Sequence, residues 1–444
     1  MASLWRTAGW VETWRVDGRS IGGQPSIAPG PVAGPHRAGP GAVGVRLTLP
    51  ARLRTVAAVP TQPGPPQRQR SSRPGAAAPV GRGRRSAPPI LVRQVRNGVE
   101  ESVHRGDIVE VDVDGRMLRL LGDPARVVYL RSCVKPFGVA ALLEADGARE
   151  LELEPAEIAI MASSHSGEDL HVRTLQALYR RTGISQTALA CGTEGMPLDA
   201  LTAARLARDG ERPGPIRHMC SGQHSIFLLL AKLNGWRTDD YWLDEHPAQQ
   251  AYQAVVARAF GTTVGRLRQG IDGCGIPTYA FPLREVARAY AFLAEPEAVG
   301  QSDARASLAP ALRVVRDACL AFPELIAGTR DRLDTSIMKA LPGRVVSKGG
   351  MEALRGLAIL PGPRGRSDEV AASGMAVKIE DGDGYDRGTW AAAVEALAQA
   401  GVLEGQALRV LGRYHRPVSA DPHGRPAAEA VPDFELAPVG ELLG

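Results

Sequence analysis

RVVYLRSCVKPFGVAALLE, residues 126–144, runs from an apolar strand through a serine into an apolar helix. Val127, Val128, Tyr129 and Leu130 are β-branched, aromatic or aliphatic, the composition of a strand. From Lys135 to Glu144 the spacing of apolar residues is helical. From Ile90 on, the segments ILVRQV, DIVEVDVDG, RMLRLLG and RVVYLRS read as short strands joined by Gly/Asp turns, and so as one set of antiparallel hairpins. Downstream, helical patterns cover 155–162, 168–181, 222–234, 247–260, 283–293, 304–321 and 332–341. Strand-like runs return at 344–347, 357–360 and 375–380, and a helix follows over 390–400. Strands at both ends with helices between them predict an α/β domain closed by distant chain segments, with a mostly helical second domain.

The chain has 444 residues, more than one ordinary core needs. At 44% apolar and 23% charged it has a globular composition. Its longest apolar run, Ile226–Leu233, contains Lys232 and falls far short of the roughly 20 residues of a membrane helix. Five scattered cysteines without a CxxC pair exclude a disulfide scaffold and a zinc ribbon, and predict a reducing cytosol.

The net charge of +5 is unevenly spread: residues 1–88 hold 13 Arg against Glu12 and Asp17, leaving −6 on the rest. A mildly acidic body therefore follows a basic leader, and the charge implies neither nucleic-acid nor membrane partners. The leader is rich in Gly, Pro, Ala and Arg and is expected to be disordered. Its prolines oppose the amphipathic helix of an organellar transit peptide, and its most basic stretch lacks the aromatics of a nucleic-acid arm. With 48 Arg against five Lys the gene reads as GC-rich, and translated GC-rich upstream DNA has this composition. The organisation expected is a leader over 1–88, a two-lobed body over 89–415 and a Pro-rich surface tail over 416–444.

Because lysine is scarce, its placement is informative. Two of the five stand three residues after a serine: Ser132 before Lys135, and Ser336 before Lys339. Ser132 opens a helix, so its hydroxyl and the Lys135 amine lie one turn apart on one face. That is the arrangement in which a neutral amine takes the serine proton for nucleophilic catalysis. Burial and a neighbouring cation favour the neutral amine, and Arg131 is adjacent. The plain alternative is a helix cap followed by a surface lysine. Ser336 sits inside DRLDTSIMKA with acids around it and reads as an ordinary helical serine. ASSHSGE (162–168) reads as a helix cap with spare hydroxyls, and GRVVSKGG (343–350) as a strand ending where a backbone or ligand approaches closely. Cys220, His224 and Cys274 lack standard zinc spacing.

In order along the chain, Arg131–Phe137, Ala162–Glu168, Cys191-Gly192, Cys220-Ser-Gly-Gln-His224, Gly270-Ile-Asp-Gly-Cys274 with Pro277, His246-Pro247 and Gly343–Glu352 resemble the rhizobial-type (class 3) L-asparaginase family. The likeness spans about residues 90–415. It implies a serine β-lactamase-like fold related to the glutaminases, a sheet flanked by helices with a mostly helical second domain, and two serine–lysine pairs. By motif position these are Ser132 with Lys135 and Ser164 with Lys348. It further implies that L-asparagine is hydrolysed to L-aspartate and ammonia and that the chain forms a homodimer; for that substrate Arg131 is expected to hold the carboxylate and Asp272 the ammonium by charge-assisted hydrogen bonds. The family's zinc trio maps onto Cys220 and Cys274, but Gln223 replaces its lysine, and no required cofactor is expected. The alternatives are another amidohydrolase on the same machinery (glutaminase, peptidase or β-lactam hydrolase) and an inert ligand- or zinc-binding relative.

Overall fold

The computed structural model describes residues 86–442 except 366 and 385. The expected leader over 1–88 therefore lies outside the described residues up to Arg85. The body begins with β1 (Ile90–Arg96) and β2 (Val99–Asp112), a hairpin whose turn residues Asn97 and Gly98 both have positive φ. An Asn-Gly turn has that geometry because both residues tolerate the left-handed region, and its twist matches that of the strands.

β3 (Met117–Leu121) folds back on β2, and β4 (Val127–Tyr129) leaves the sheet. The remaining strands are β5 (Arg268–Ile271), β6 (Pro277–Pro282), β7 (Val345–Gly350), β8 (Leu354–Ile359), the short hairpin β9 (Gly362–Arg364) and β10 (Ser367–Val370), β11 (Ser373–Ile379), β12 (Val418–Ala420) and β13 (Pro426–Pro432). The main sheet is antiparallel in the order β12-β13-β1-β2-β11-β8-β7, with β3 on the second half of β2. β1 and β13, from the two ends of the described chain, thus pair with each other, and most of the helices lie in sequence between β3 and β7. This is the expected α/β class, a sheet flanked by helices with a mostly helical part inserted.

Alternate residues of a strand point to opposite faces, and here both faces of the central strands are covered. Leu354, Ala358 and Ala376 join the core beneath helix Leu283–Ala294, while Leu357, Ile359, Met375 and Val377 face helix Arg387–Gln399. Each fully buried Leu or Ile contributes about 1.5–3 kcal/mol. Helix Leu283–Ala294 lies so close to the sheet that a Cβ on Gly374 would stand 1.9 Å from the Ala287 carbonyl oxygen. Helix Lys135–Glu144 is buried from Lys135 through Leu142, as a helix that is apolar all round must be. Helices Pro155–Met161, Ser221–Asn234, Pro247–Ala259 and Ala309–Ala321 pack around it.

Two expectations need correction. Residues 416–432 are not a surface tail: β13 pairs with β1 from Val92↔Pro432 to Val95↔Glu429, and Ala430 is fully buried. Its prolines and small residues hide the strand in the sequence, and cross-strand pairing supplies what propensity lacks. The RVVYL strand belongs not with β1–β3 but with β5 and β6 in a separate three-stranded sheet. Among the described residues no helix is long and apolar enough to cross a membrane.

Candidate active site

The chain leaves β4 through a sharp turn. Leu130 N–H donates to Tyr279 O at 2.8 Å, and Arg131 N–H donates to Thr278 Oγ1 at 3.1 Å. Arg131 sits at φ 46°, a left-handed conformation that costs a non-glycine residue on the order of 1 kcal/mol. Residues 131–134 then form a 3₁₀ turn that runs into helix Lys135–Glu144. Side chains three apart eclipse in such a turn, which puts Ser132 and Lys135 on one side. The end of β7 presses against this turn, and a Cβ on Gly350 would meet Leu130 O at 2.9 Å and Cys133 Sγ at 3.1 Å.

Lys135 and Lys348 are both buried, and their amines converge on one hydroxyl. Lys135 Nζ lies 3.1 Å and Lys348 Nζ 2.9 Å from Ser164 Oγ. Lys135 Nζ also donates to Ser163 O (2.9 Å) and Met219 O (3.5 Å), and Lys348 Nζ to Gly349 O (2.6 Å). Ser164 is held by its N–H on Ile326 O and by Arg332 Nη2 on its carbonyl at 2.9 Å. Ser132 is 4% exposed, and its hydroxyl makes no hydrogen bond among the described residues. The turn therefore brings Ser132 beside Lys135, but the Lys135 amine bonds to Ser164 rather than to Ser132.

Two ammonium groups on one buried oxygen repel each other, so this geometry favours one neutral amine. Burial pushes the Lys348 amine down, Asp334 opposes the shift, and Lys135 adds to it; the result is about 8. Asp334 is itself buried. Against that burial, Arg355, Lys348 and hydrogen bonds from Ser347 and Gly349 hold its carboxyl down to about 2.

Most other polar groups nearby have structural work. His165 Nδ1 accepts Gly167 N–H, so Nε2 donates to Ser221 Oγ at 2.8 Å, and burial with neighbouring cations holds the ring neutral. Ser166 Oγ and Thr329 N–H both donate to Glu168. Ser336 Oγ donates to Tyr414 OH at 3.0 Å, and Lys339 is exposed beside Glu324. Arg131 Nε donates to Asp272 Oδ1 at 2.7 Å, so these two residues bond to each other.

Cys220 and Cys274 do face one another. The Cys274 thiol donates to the Cys220 sulfur, which together with Lys135 Nζ at 3.3 Å draws Cys220 well down toward thiolate. The third position is poor for zinc. Gln223 Nε2 donates to Tyr252 OH at 3.0 Å, and its Oε1 is buried without a partner. A neutral amide oxygen is a hard, weak companion to two thiolates, and among the described residues no three His, Cys, Asp or Glu side chains gather to hold a metal. The residues present do not fit the implied zinc.

Asp334, Arg355 and Arg332 were missed from the sequence. In the sequence Asp334 is one of the acids of an ordinary helix, and Arg355 has no local motif. The one available signal was the strand-end glycine pair beside Lys348, because Gly349 pairs in register with Arg355.

The family model for L-asparaginase II matches residues 92–432. No curated protein matches. Among solved structures the chain is similar to Mglu in its native form, at 14% identity over 68% of this chain and 66% of that one, with a TM-score of 0.29. The figures for Mglu in its native form in 4.3 M NaCl are 14%, 68%, 63% and 0.29, and for Mglu in its tris and glutamate form 16%, 72%, 64% and 0.30. The likeness spans slightly less than two thirds of each of those chains.

Proposed function

The chain belongs to the L-asparaginase II family, and on that premise we propose that it hydrolyses the side-chain amide of L-asparagine to L-aspartate and ammonia through an acyl-enzyme. The observation that carries the reading is the shared contact of Lys135 and Lys348 with Ser164 Oγ, where Lys135 lies one turn after Ser132, whose hydroxyl has no partner among the described residues. Ser132 Oγ attacks the amide carbon. Lys135 takes the hydroxyl proton and passes it to the departing ammonia as the C–N bond breaks and the ester forms. Ser164 and Lys348 relay protons and position the water that hydrolyses the ester, which returns the hydroxyl to Ser132.

A free amino acid carries one carboxylate and one ammonium. The pair Arg131–Asp272 supplies the complementary charges, so substrate exchanges one ion pair for two charge-assisted contacts. Cys133 N–H is committed to Leu130 O, whereas Ser132 N–H has no partner among the described residues and is the donor available to an oxyanion. The reaction as written routes no step through a metal, and the amide of Gln223 beside Cys220 and Cys274 makes a poor donor set for zinc. Five free, buried cysteines support work in a reducing cytosol, and the family likeness supports a homodimer.

The test is ammonia release from purified protein given asparagine, glutamine or buffer, repeated with Ser132→Ala and Ser336→Ala. Turnover is expected on asparagine, absent in Ser132→Ala and nearly unchanged in Ser336→Ala. Faster turnover of glutamine would reassign the substrate, and equal losses in the two variants would remove Ser132 as nucleophile.

A further inference from the structure

Lys348 reaches Ser164 from the end of β7, and a strand end is a loose place from which to aim a long side chain. Here it is clamped on both sides by one carboxylate. Asp334, in the first turn of helix Leu333–Ala340, accepts Ser347 Oγ on Oδ1 at 2.6 Å and Gly349 N–H on Oδ2 at 2.9 Å. These are the residues immediately before and after Lys348. Arg355, opposite Gly349 on β8, pairs with Asp334 Oδ1 and donates to Ser347 Oγ at 3.2 Å. Asp334, Arg355 and Ser347 are buried and Gly349 is partly so, and both charged residues are below a tenth exposed. A Cβ on Gly349 would meet Arg355 Nη2 at 3.2 Å and Asp334 Oδ2 at 3.3 Å, so the clamp closes directly on the backbone.

We propose that the Asp334–Arg355 pair is the positioning element of the second serine–lysine pair: it fixes the backbone on both sides of Lys348 and sets the field in which the Lys348 amine loses its proton. The proposal rests on the reading that Lys348 acts through Ser164. The charged and titratable groups facing Lys348 come from several elements: Asp334 and Arg332 around the start of helix Leu333–Ala340, Lys135 from its own helix, and Cys133 from the 3₁₀ turn. Cys319 faces it from helix Ala309–Ala321, and Arg355 stands on β8 behind Asp334. Among the groups that act most strongly, Asp334 is the one carboxylate, opposing burial and the cations Lys135 and Arg332. Arg355 in turn lowers the Asp334 carboxyl, which the Ser347 and Gly349 hydrogen bonds hold down as well, without itself touching the amine. Neither residue meets substrate on this reading; both act through Lys348.

With only five lysines in the chain, NMR of isotope-labelled lysine ε-methylene carbons can follow Lys348 directly, its signal assigned by loss in Lys348→Met. Asp334→Asn removes the stabilising negative charge, so the Lys348 midpoint is expected to fall by about one pH unit. Arg355→Gln removes a cation and leaves Asp334 to face the amine, so the midpoint is expected to rise. The acid limb of the kcat profile should move with the same signs, which a merely structural loss would not produce. If Asp334→Asn does not fold, the double variant with Arg355→Gln replaces it; because the carboxylate acts on Lys348 more strongly than the guanidinium, the midpoint is again expected to fall. Unchanged midpoints, or shifts of one sign in both single variants, would overturn the proposal. Failure of the proposed function is a separate result: Ser132→Ala retaining full turnover would remove that reading whatever Lys348 titrates at.

Discussion

Replacing Lys348 by methionine tests whether a buried amine is held against its own solvation. Methionine matches the length of the side chain and removes the titrating group. The amine ionises near 10.5 in an unfolded chain and at about 8 in the folded protein. Because the folded value is the lower one, the unfolded chain binds more protons between those limits, and this group makes wild-type stability rise with pH across that window. Below pH 8 the amine is charged in both states and the full cost is present; above 10.5 it is neutral in both and the cost is gone. At about 1.4 kcal/mol per pH unit, the difference amounts to about 3 kcal/mol. The assay is urea unfolding of wild type and Lys348→Met at a series of pH values, comparing extrapolated free energies. Groups that titrate alike in both proteins cancel, so the variant's stability relative to wild type should fall by about 3 kcal/mol from below pH 8 to above 10.5. The offset left at high pH reports the lost contacts with Ser164 Oγ and Gly349 O. A difference that stays constant across the range would show that Lys348 titrates alike folded and unfolded, and the two-amine reading of Ser164 would go with it.

Chelator treatment is expected to leave ammonia release unchanged, and metal analysis to find well below one zinc per chain, because Gln223 offers an amide where a third strong donor is needed. Gln223→Lys should raise zinc occupancy between Cys220 and Cys274; stoichiometric zinc in the unaltered protein, lost on Cys274→Ser, would show a donor set not recognised here. A chain beginning near Ala87 keeps the contacts of Pro88 O with Arg105 and of Pro89 O with Gly106 N–H, and should retain kcat and Tm; a large drop in either would give residues 1–86 a structural role.

The parts of the site that were legible in the sequence are those in which one short segment carries both geometry and chemistry. Ser132 and Lys135 are three residues apart at a strand-to-helix junction, and that spacing alone places them on one side of a turn. The strand-like segments from Ile90 and the turn residues between them marked the first hairpin for the same reason, since both depend on neighbours in sequence. Ser164 and Lys348 are 184 residues apart, and nothing local to either predicts that two amines share one hydroxyl. That meeting depends on β7 reaching the Ser132 turn at Gly350 and on the loop after helix Pro155–Met161 being tied to Ile326.

The motif likeness paired these residues, but tertiary structure decided which hydroxyl Lys135 touches, and it also joined Arg131 to Asp272. Asp334 and Arg355 are the extreme case: each is an ordinary charged residue in its own segment, and only the antiparallel register of β7 and β8 brings Arg355, and the packing of helix Leu333–Ala340 on β7 brings Asp334, to the backbone beside Lys348. The same holds for β13, whose small residues and prolines form a strand because β1 offers an edge to pair with. Periodicity and spacing are written in the local chain, whereas burial, charge pairing and cross-strand bonds exist only once distant segments have excluded water between them.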